Sequence, residues 1–259
     1  NITTLGFRGE ALPSIASVSR ISLLTSDGNH GSEIIIEAGE VLKCENSAKN
    51  KGTEIKVKNL FYNTPARKKF LKPASQEIRN VTKIIKRFVL SYPKVSFFYQ
   101  ADDKTVYDFH SVDLKQRIIQ LFGGSYKDNI INIKNSDESI KVSGYIGNLN
   151  LLQRRKGSQY LFLNGRYINN ASISNAIRNC YDSTIERGEF PFYVLFLEIP
   201  PNLFDVNVHP TKIEVRFSEK WSIINFISTS IKIELKKIFK VLPDISFNSR
   251  IDKTENELK

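Results

Sequence analysis

The spacing of hydrophobic residues changes repeatedly along this chain, from the two-residue period of strands to the longer period of helices. In residues 53–58, Ile55 and Val57 alternate with charged residues, as in a strand with one buried face. Residues 76–90 place apolar side chains on one side of a helix and cations on the other. Because both halves mix the two patterns, we predict an α+β fold of two domains in which helices pack on sheets.

The remaining elements follow from the same patterns and from turn residues. In the first half we predict a helix over 10–17, strands at 20–25 and 33–37, and a hairpin of 95–100 with 105–109. In the second half we predict a helix over 113–122, strands at 130–134, 140–146 and 159–163, a tight turn at Asn164-Gly165, a helix over 171–185, a strand buried on both faces at 193–199, and a final helix over 219–242. The apolar stripe of the final helix packs against its own sheet or binds a partner. The domain boundary falls near His110, which gives domains 1–110 and 111–242 and a tail or linker start at 243–259.

The composition of the chain is ordinary for a soluble globular protein. Hydrophobic residues make up 41% and charged residues 25% of its 259 residues. No apolar run reaches the roughly 18 residues that a membrane span needs. No secretory signal opens the chain, so we expect a cytoplasmic location without a membrane partner, near the nucleoid in a bacterium.

The chain is basic, with a formal net charge of +11. A basic surface attracts polyanions, of which nucleic acid is the first candidate. The chain is also rich in Lys, Asn and Ile and contains no Met, a pattern that coding bias produces as well. Charge alone therefore leaves DNA binding and coding bias as alternatives.

The two cysteines do not form a metal motif. Cys44 and Cys180 have no CxxC partner and no nearby histidine. We predict buried or half-buried reduced thiols and no metal site, with a zinc site or a disulfide as the alternatives.

The segment Gly6-Phe7-Arg8-Gly9 places two glycines around an arginine just before a predicted helix. Glycines let backbone N–H groups approach a phosphate closely, and a helix N-terminus adds partial positive charge. An ordinary turn gives the same pattern, so the segment alone is compatible with either interpretation.

A second segment, 205–212, ends on a lysine. Val206 and Val208 alternate as in a strand, which breaks at His209-Pro210 and presents Lys212. A loop stiffened by proline can direct the ammonium group at a phosphate, whereas a solvated surface lysine is the simpler alternative. No serine or cysteine nucleophile motif accompanies Asp205.

A basic cluster follows the strand at 53–58. Asn63-Thr64-Pro65 is a turn that can start a helix, and Arg67, Lys68, Lys69 and Lys72 come directly after it. A solvated helix face accounts for this cluster without any function.

Five segments together resemble the motifs of the MutL family of DNA mismatch-repair ATPases, in that family's order. They are GFRGEAL at 6–12, GTEIKV at 52–57, NLFYNTPARKKFL at 59–71, LNGRYI at 163–168 and DVNVHPTKIEVRF at 205–217. The resemblance covers nearly the whole chain except for its last residues.

The resemblance implies a fold and an activity. The fold would be the C-terminal part of a GHKL (gyrase B/Hsp90-like) α/β sandwich followed by a domain similar to domain 2 of ribosomal protein S5. In this family, ATP closes a lid and drives the ATPase regions into a homodimer. The dimer engages DNA, a mismatch-sensor protein and a downstream nuclease or helicase.

The resemblance also implies roles for individual residues. Gly6, Phe7, Arg8 and Gly9 would bind the ATP phosphates as lid residues, and Thr53 would lie beside the adenine. Lys212 would reach the γ-phosphate and stabilise the charge of phosphoryl transfer as a catalytic residue. The DNA-binding candidates are Arg154, Arg155, Lys156, Arg166 and Arg178, through phosphate contacts. Asn169, Asn170 and Ala171 stand where the family tends to be more basic.

Two family segments do not occur in this sequence. The family's general-base glutamate and Mg²⁺-binding asparagine precede the lid, as does its Asp-x-Gly-x-Gly motif, and the chain starts at Asn1. We expect a fragment of a longer protein, with the Mg²⁺ ligand upstream of residue 1 and the C-terminal dimerisation or endonuclease part absent. Such a fragment would not hydrolyse ATP alone, and its first domain would expose apolar surface.

Two other functions are compatible with the sequence. A type II topoisomerase ATPase region shares the two-domain plan, although NTPARKKF and VNVHPTK fit it poorly. A basic module that binds DNA or a partner without ATPase activity is the alternative that is not an enzyme.

Overall fold

The structure, a computed structural model, describes residues 9–181, 184–205 and 213–239. Contacts divide the chain into two units, Asn1–Lys83 and Ile84–Lys259. The division lies inside helix α3 (Ala74–Ser91). The domain boundary near His110 therefore stays a prediction.

The first unit contains a four-stranded antiparallel sheet in the order β3-β2-β1-β4. Its elements are α1 (Ala11–Ala16), β1 (Arg20–Ser26), β2 (Gly31–Glu37), β3 (Glu40–Asn46), β4 (Gly52–Lys58), α2 (Pro65–Lys68) and the start of α3. The helix predicted over 10–17 and the three predicted strands are confirmed. The sequence did not predict β3, because its adjacent apolar residues Val41 and Leu42 break the alternation that marks a strand.

Register gives this sheet one apolar face and one mixed face, on which Leu24 and Ile35 lie among charged residues. Ile21 of β1 lies opposite Val57 of β4, and Leu23 lies opposite Ile55. Directly opposed residues share a face, so these four side chains line the same side of the sheet. Ion pairs such as Lys43–Glu33, at 3.1 Å, lie on the other side.

The apolar face of the first unit is only partly covered. Among its described residues, the buried apolar side chains are Ala16, Val18 and Ile21. Ile55 remains 46% exposed and Phe70 80% exposed. The exposed apolar surface predicted for this part of the chain is therefore confirmed.

The second unit contains a five-stranded sheet in the order β10-β9-β11-β8-β7, in which β11 pairs parallel with β9 and antiparallel with β8. The hairpin β5–β6 precedes this sheet. The elements are β5 (Phe97–Ala101), β6 (Lys104–Phe109), α4 (Leu114–Phe122), β7 (Ile130–Ser136), β8 (Lys141–Gly147), β9 (Gln159–Leu163), β10 (Arg166–Ile168), α5 (Ala171–Asn179), β11 (Tyr193–Glu198), β12 (Phe204–Asp205), β13 (Arg216–Phe217) and α6 (Lys220–Phe239).

Helices cover both faces of this sheet. Leu195 of β11 packs with apolar residues of α5 and α6, whereas Val194 packs with Leu90 of α3 and Ile118 of α4. Successive strand residues thus enter opposite core layers. This explains why the strand predicted at 193–199 is apolar at nearly every position.

Helix α5 ends earlier than predicted. It stops at Asn179, so the prediction of a helix to 185 is wrong. The Tyr181 side chain turns into the core and its hydroxyl donates to the Gly147 carbonyl at 2.7 Å. The carbonyls of Glu186 and Glu189 accept from Arg178 instead of continuing a helical ladder. Helix α6 is confirmed up to Phe239, and residues 240–259 lie outside the described residues.

Arg117 of α4 is fully buried and holds three backbone segments together. Its Nη2 group donates to the carbonyls of Pro93, Val95 and His110 at 2.8, 2.8 and 2.9 Å. The guanidinium carbon lies 5.0 Å from the centre of the Phe109 ring. Burial lowers the pKa of Arg117, but an arginine remains protonated in proteins. The cation therefore ties both ends of the β5–β6 hairpin to α4.

Helix length and polarity bear on membrane insertion. Within the described ranges, no helix combines the length and the apolar character that crossing a bilayer requires.

We predict that Arg117→Met lowers the free energy of unfolding by about 2–3 kcal/mol, because three buried carbonyls lose their donor. Urea denaturation of the variant and of the unchanged chain measures the difference. The matched control is Arg155→Met, at an exposed arginine, for which we expect a change of less than about 0.5 kcal/mol. An Arg117→Met variant as stable as the unchanged chain would show that the desolvation cost of the cation cancels its hydrogen bonds.

Candidate functional site

Only one residue of the predicted lid lies in the described part of the chain. Gly6, Phe7 and Arg8 lie outside the described residues. Gly9 has a φ of +67°, in the left-handed region that favours glycine, and no atom of the described residues lies within 4 Å of the position a Cβ would take. The backbone at Gly9 is thus open to solvent, directly before α1.

Thr53, the predicted adenine neighbour, is exposed at the start of β4. Its hydroxyl lies 2.7 Å from the hydroxyl of Thr25 on β1. The preceding Gly52 has a φ of +138° and open space on its Cα. Thr53 pairs near the end of β1 that is farther from α1, and no hydrogen bond between described residues joins it to Gly9.

Lys212 and His209 lie outside the described residues, but both flanks of their segment are described. Asp205 of β12 pairs with Arg216 of β13. The strands that precede and follow the segment 206–212 are therefore neighbours. The carbonyl of Ile213, the residue after Lys212, accepts from the backbone N–H of Asn169 at 2.8 Å. The residue next to the predicted phosphate-sensing lysine is therefore anchored just after β10.

A side-chain clamp fixes the strand that leads into this segment. The amide of Asn164 donates to the Ile199 carbonyl at 2.9 Å and accepts from the Ile199 N–H at 3.0 Å. Asn164 and Gly165 have φ values of +47° and +80°, as the predicted tight turn requires. The sequence predicted the turn but not the clamp, because the partner lies 35 residues away.

The basic segment 154–156 is exposed and is held at both ends. On its N-terminal side, Gln153 and Phe190 exchange two backbone hydrogen bonds, of 3.0 and 2.8 Å. On its C-terminal side, the Gln159 side chain accepts from the Gly157 N–H at 2.8 Å and donates to the Pro191 carbonyl at 3.0 Å. The cations are thus presented on an ordered loop.

Two of the predicted DNA-binding residues meet at one aromatic ring. The Lys156 ammonium lies 5.2 Å and the Arg178 guanidinium 5.8 Å from the centre of the Phe190 ring. Both distances are within the range of cation–π attraction. We call Arg154, Arg155, Lys156, Arg178 and Phe190 the Phe190 cluster. Phe190 was missed in the sequence, where no local signal connects it to either cation.

Arg178 also has a structural role. Its Nε donates to the Glu189 carbonyl at 3.0 Å and its Nη2 to the Glu186 carbonyl at 3.2 Å. A guanidinium has five N–H donors, so the group retains donors for an external anion. Arg178 is therefore a positioning residue for 186–190 as well as a cation of the cluster.

Arg166 lies apart from the other candidates. It opens β10 opposite Leu163, at the end of β9 that is distant from the basic segment. The five residues of β9 span roughly 13 Å. The Arg87 guanidinium lies 4.0 Å from the centre of the ring of Tyr167, the residue after Arg166. A second cation therefore lies at this edge of the sheet.

The cysteines do not pair. Cys44 and Cys180 form no disulfide with each other. Cys180 is buried as predicted, whereas Cys44 is exposed on β3, contrary to prediction. In the ranges that the structure describes, no group of three or more His, Cys, Asp or Glu side chains is placed to hold a metal ion.

The fold and the family profile together define a class of protein. The profile described as the C-terminal domain of DNA mismatch repair proteins matches residues 118–236. The B-subunit of DNA gyrase from Myxococcus xanthus aligns with a TM-score of 0.51 at 8% identity over 88% of this chain and 69% of its own, a likeness of fold alone. The chain thus has the mixed α/β fold of the GHKL ATPase class, and the predicted fold class is confirmed.

Two further relatives identify the family. The MutL ATPase domain of Aquifex aeolicus, solved as a complex with ADP, is 30% identical with a TM-score of 0.61 over 74% of this chain and 72% of its own. The DNA mismatch repair protein MutL of Shouchella clausii is 42% identical over 91% of this chain. The chain belongs to the MutL family of DNA mismatch repair proteins, and it spans 36% of the length of the Shouchella clausii relative.

We predict that Arg178→Ala increases amide hydrogen exchange in residues 186–190, because two of their carbonyls lose a charged donor. Exchange measured by mass spectrometry on the unchanged chain and the variant tests this. Arg155→Ala, in the same cluster without those hydrogen bonds, should leave exchange in 186–190 unchanged. Equal exchange in the unchanged chain and Arg178→Ala would remove the positioning role.

Proposed function

We propose that this chain is an ATP- and DNA-binding part of a mismatch-repair ATPase. The observation that carries the proposal is the convergence of Lys156 and Arg178 on Phe190 in a member of this family. It joins cations from two distant parts of the sequence into one patch. Such a patch suits the phosphate backbone of DNA, which carries no sequence information itself.

The order of the Phe190 cluster supports DNA binding beyond the net charge. Hydrogen bonds at Gln153 and Gln159 fix the loop of Arg154, Arg155 and Lys156 before any ligand arrives. A preorganised loop loses less conformational entropy on binding. Arg166, at the far end of β9, would contact a separate stretch of the same backbone.

Nucleotide binding rests on the family and on the glycines. The Aquifex aeolicus relative was solved with ADP, and we extend nucleotide binding to this chain. Gly9 and Gly52 both leave open space that a larger side chain would fill. In the proposal, the 6–9 segment binds ATP phosphates, Thr53 lies beside the adenine, and Lys212 reaches the γ-phosphate. In the part of the chain that the structure describes, no group of His, Cys, Asp or Glu side chains is assigned to Mg²⁺.

The full-length protein would hydrolyse ATP, form an ATP-driven homodimer, and couple a mismatch sensor to a downstream nuclease or helicase. Lys212 would stabilise the charge of the transferred phosphoryl group. Because Ile213 is anchored to Asn169, the position of Lys212 would depend on the second unit's sheet.

We predict that replacing Arg154, Arg155 and Lys156 together by Gln weakens binding to duplex DNA by about tenfold or more and lowers the slope of log K against log salt by about 2–3. Fluorescence anisotropy with a labelled duplex, between about 50 and 200 mM salt, measures both quantities. The slope separates loss of phosphate contacts from loss of folding.

The matched control replaces three other consecutive cations, Arg67, Lys68 and Lys69, by Gln. We expect it to change the affinity by less than about threefold, since the net charge changes equally but the Phe190 cluster is intact. Equal losses in the two triple variants would show that overall charge, and not this cluster, binds DNA.

We predict that Lys212→Ala in the full-length protein slows ATP hydrolysis by about a hundredfold, because a cation at the γ-phosphate is lost. Steady-state phosphate release measures the rate, and thermal unfolding checks that the protein is folded. The control is Lys220→Ala, on the exposed start of α6. Unchanged turnover in Lys212→Ala would contradict the phosphate-contact role while leaving DNA binding untouched.

A further inference from the structure

A groove lies between α5 and α6. It encloses about 390 Å³. Its lining residues come from one face of each helix: Ser172, Asn175, Ala176, Asn179 and Cys180 on one side, and Trp221, Ile224, Ser228 and Lys232 on the other. The small side chains of Ser172 and Ala176 leave the space that forms the groove.

Trp221, which lines this groove, is unusually exposed for a tryptophan. It is the only tryptophan of the chain, and it is 72% exposed on the first turn of α6. The Lys220 ammonium lies 5.8 Å from the centre of its ring. A large indole left in solvent beside a concave surface is typical of a binding anchor, because tryptophan contributes strongly to protein–protein contacts.

The polar lining suits a peptide backbone. Asn175 and Asn179 are exposed one helical turn apart, so their side-chain amides face solvent. An asparagine amide both donates and accepts, as a peptide group does. Cys180 and Ile224, which are buried, supply an apolar floor.

The positive charge at the groove favours a negatively charged partner. Among the described residues that line the groove, Lys232 is the only charged one, and Lys220 adds a second cation at the Trp221 end. An acidic segment therefore gains attraction at both ends of the groove.

We propose that this groove binds an acidic peptide segment of a partner protein, with an apolar side chain seated between Trp221 and Ile224. Duplex DNA fits the groove poorly, since phosphate binding draws on arrays of cations and this surface offers only Lys220 and Lys232 beside amides and apolar groups. Peptide binding at this groove would not require the proposed ATP or DNA sites.

The test uses a fluorescein-labelled synthetic peptide of about twelve residues, in which aspartates and glutamates flank a Leu-Phe pair. Anisotropy titration with the full 259-residue chain should show saturable binding. The emission of Trp221, the chain's intrinsic probe, should shift to shorter wavelength as the ring becomes buried. The same peptide with Ser-Ser in place of Leu-Phe should bind about tenfold more weakly.

Two variants connect binding to the groove. Trp221→Ala and Lys232→Glu should each weaken peptide binding by about tenfold, and both positions are exposed, so the fold is retained. The control Lys237→Glu reverses an exposed charge on the same helix that does not line the groove, and it should change the affinity by less than about twofold.

Several results would overturn the inference. They are no saturable binding up to about 1 mM peptide, equal affinities of the three variants, or equal affinities of the two peptides. A further one is displacement of the peptide by duplex DNA that itself requires Lys232, which would assign the groove to nucleic acid. Displacement by DNA that is unaffected by Lys232→Glu, together with weakened peptide binding, would instead support the inference.

Discussion

Burial of β11 on both faces is the constraint on which the second unit depends. Leu195 enters the core beneath α5 and α6, and Val194 enters the core beneath α3 and α4. A strand fixed in this way determines where its two ends lie. Phe190 precedes its first residue, and the segment that carries Lys212 follows its last. The proposed DNA and nucleotide functions thus depend on opposite ends of one buried strand.

The sequence predicted regular elements well because their hydrophobic periods are strong. Strand β3 was missed since Val41 and Leu42 are adjacent, and α5 was extended too far since nothing local shows that Arg178 binds carbonyls of the following loop. Family motifs indicated Lys156 and Arg178 individually. Their meeting at Phe190 is a tertiary contact between residues far apart in sequence, which no local period encodes. The lid residues 6–8 and Lys212 stay predictions from the motifs alone.

Charge has different consequences in the two units. In the first unit, one face of the sheet carries ion pairs such as Lys43–Glu33 between exposed or half-buried side chains, which contribute little stability. In the second unit, Arg117 is buried without a carboxylate and is stabilised by carbonyls and rings. Arg178 lies between these cases, because carbonyls hold part of its guanidinium and the rest remains available. A net charge of +11 therefore describes cations with distinct structural and binding roles.

The Asn164 clamp has a chemical consequence. Asn164 precedes Gly165 in a solvent-exposed turn, and an asparagine followed by glycine is prone to lose its side-chain nitrogen by spontaneous deamidation. The resulting carboxylate would accept hydrogen bonds but donate none, and it would face the Ile199 carbonyl that the amide now serves. The two hydrogen bonds at Ile199 hold the side chain in place and oppose the cyclisation that starts this reaction. Deamidation of Asn164 would therefore be slow while the turn is intact, and once it occurred it would weaken the hydrogen bonds that align the end of β11.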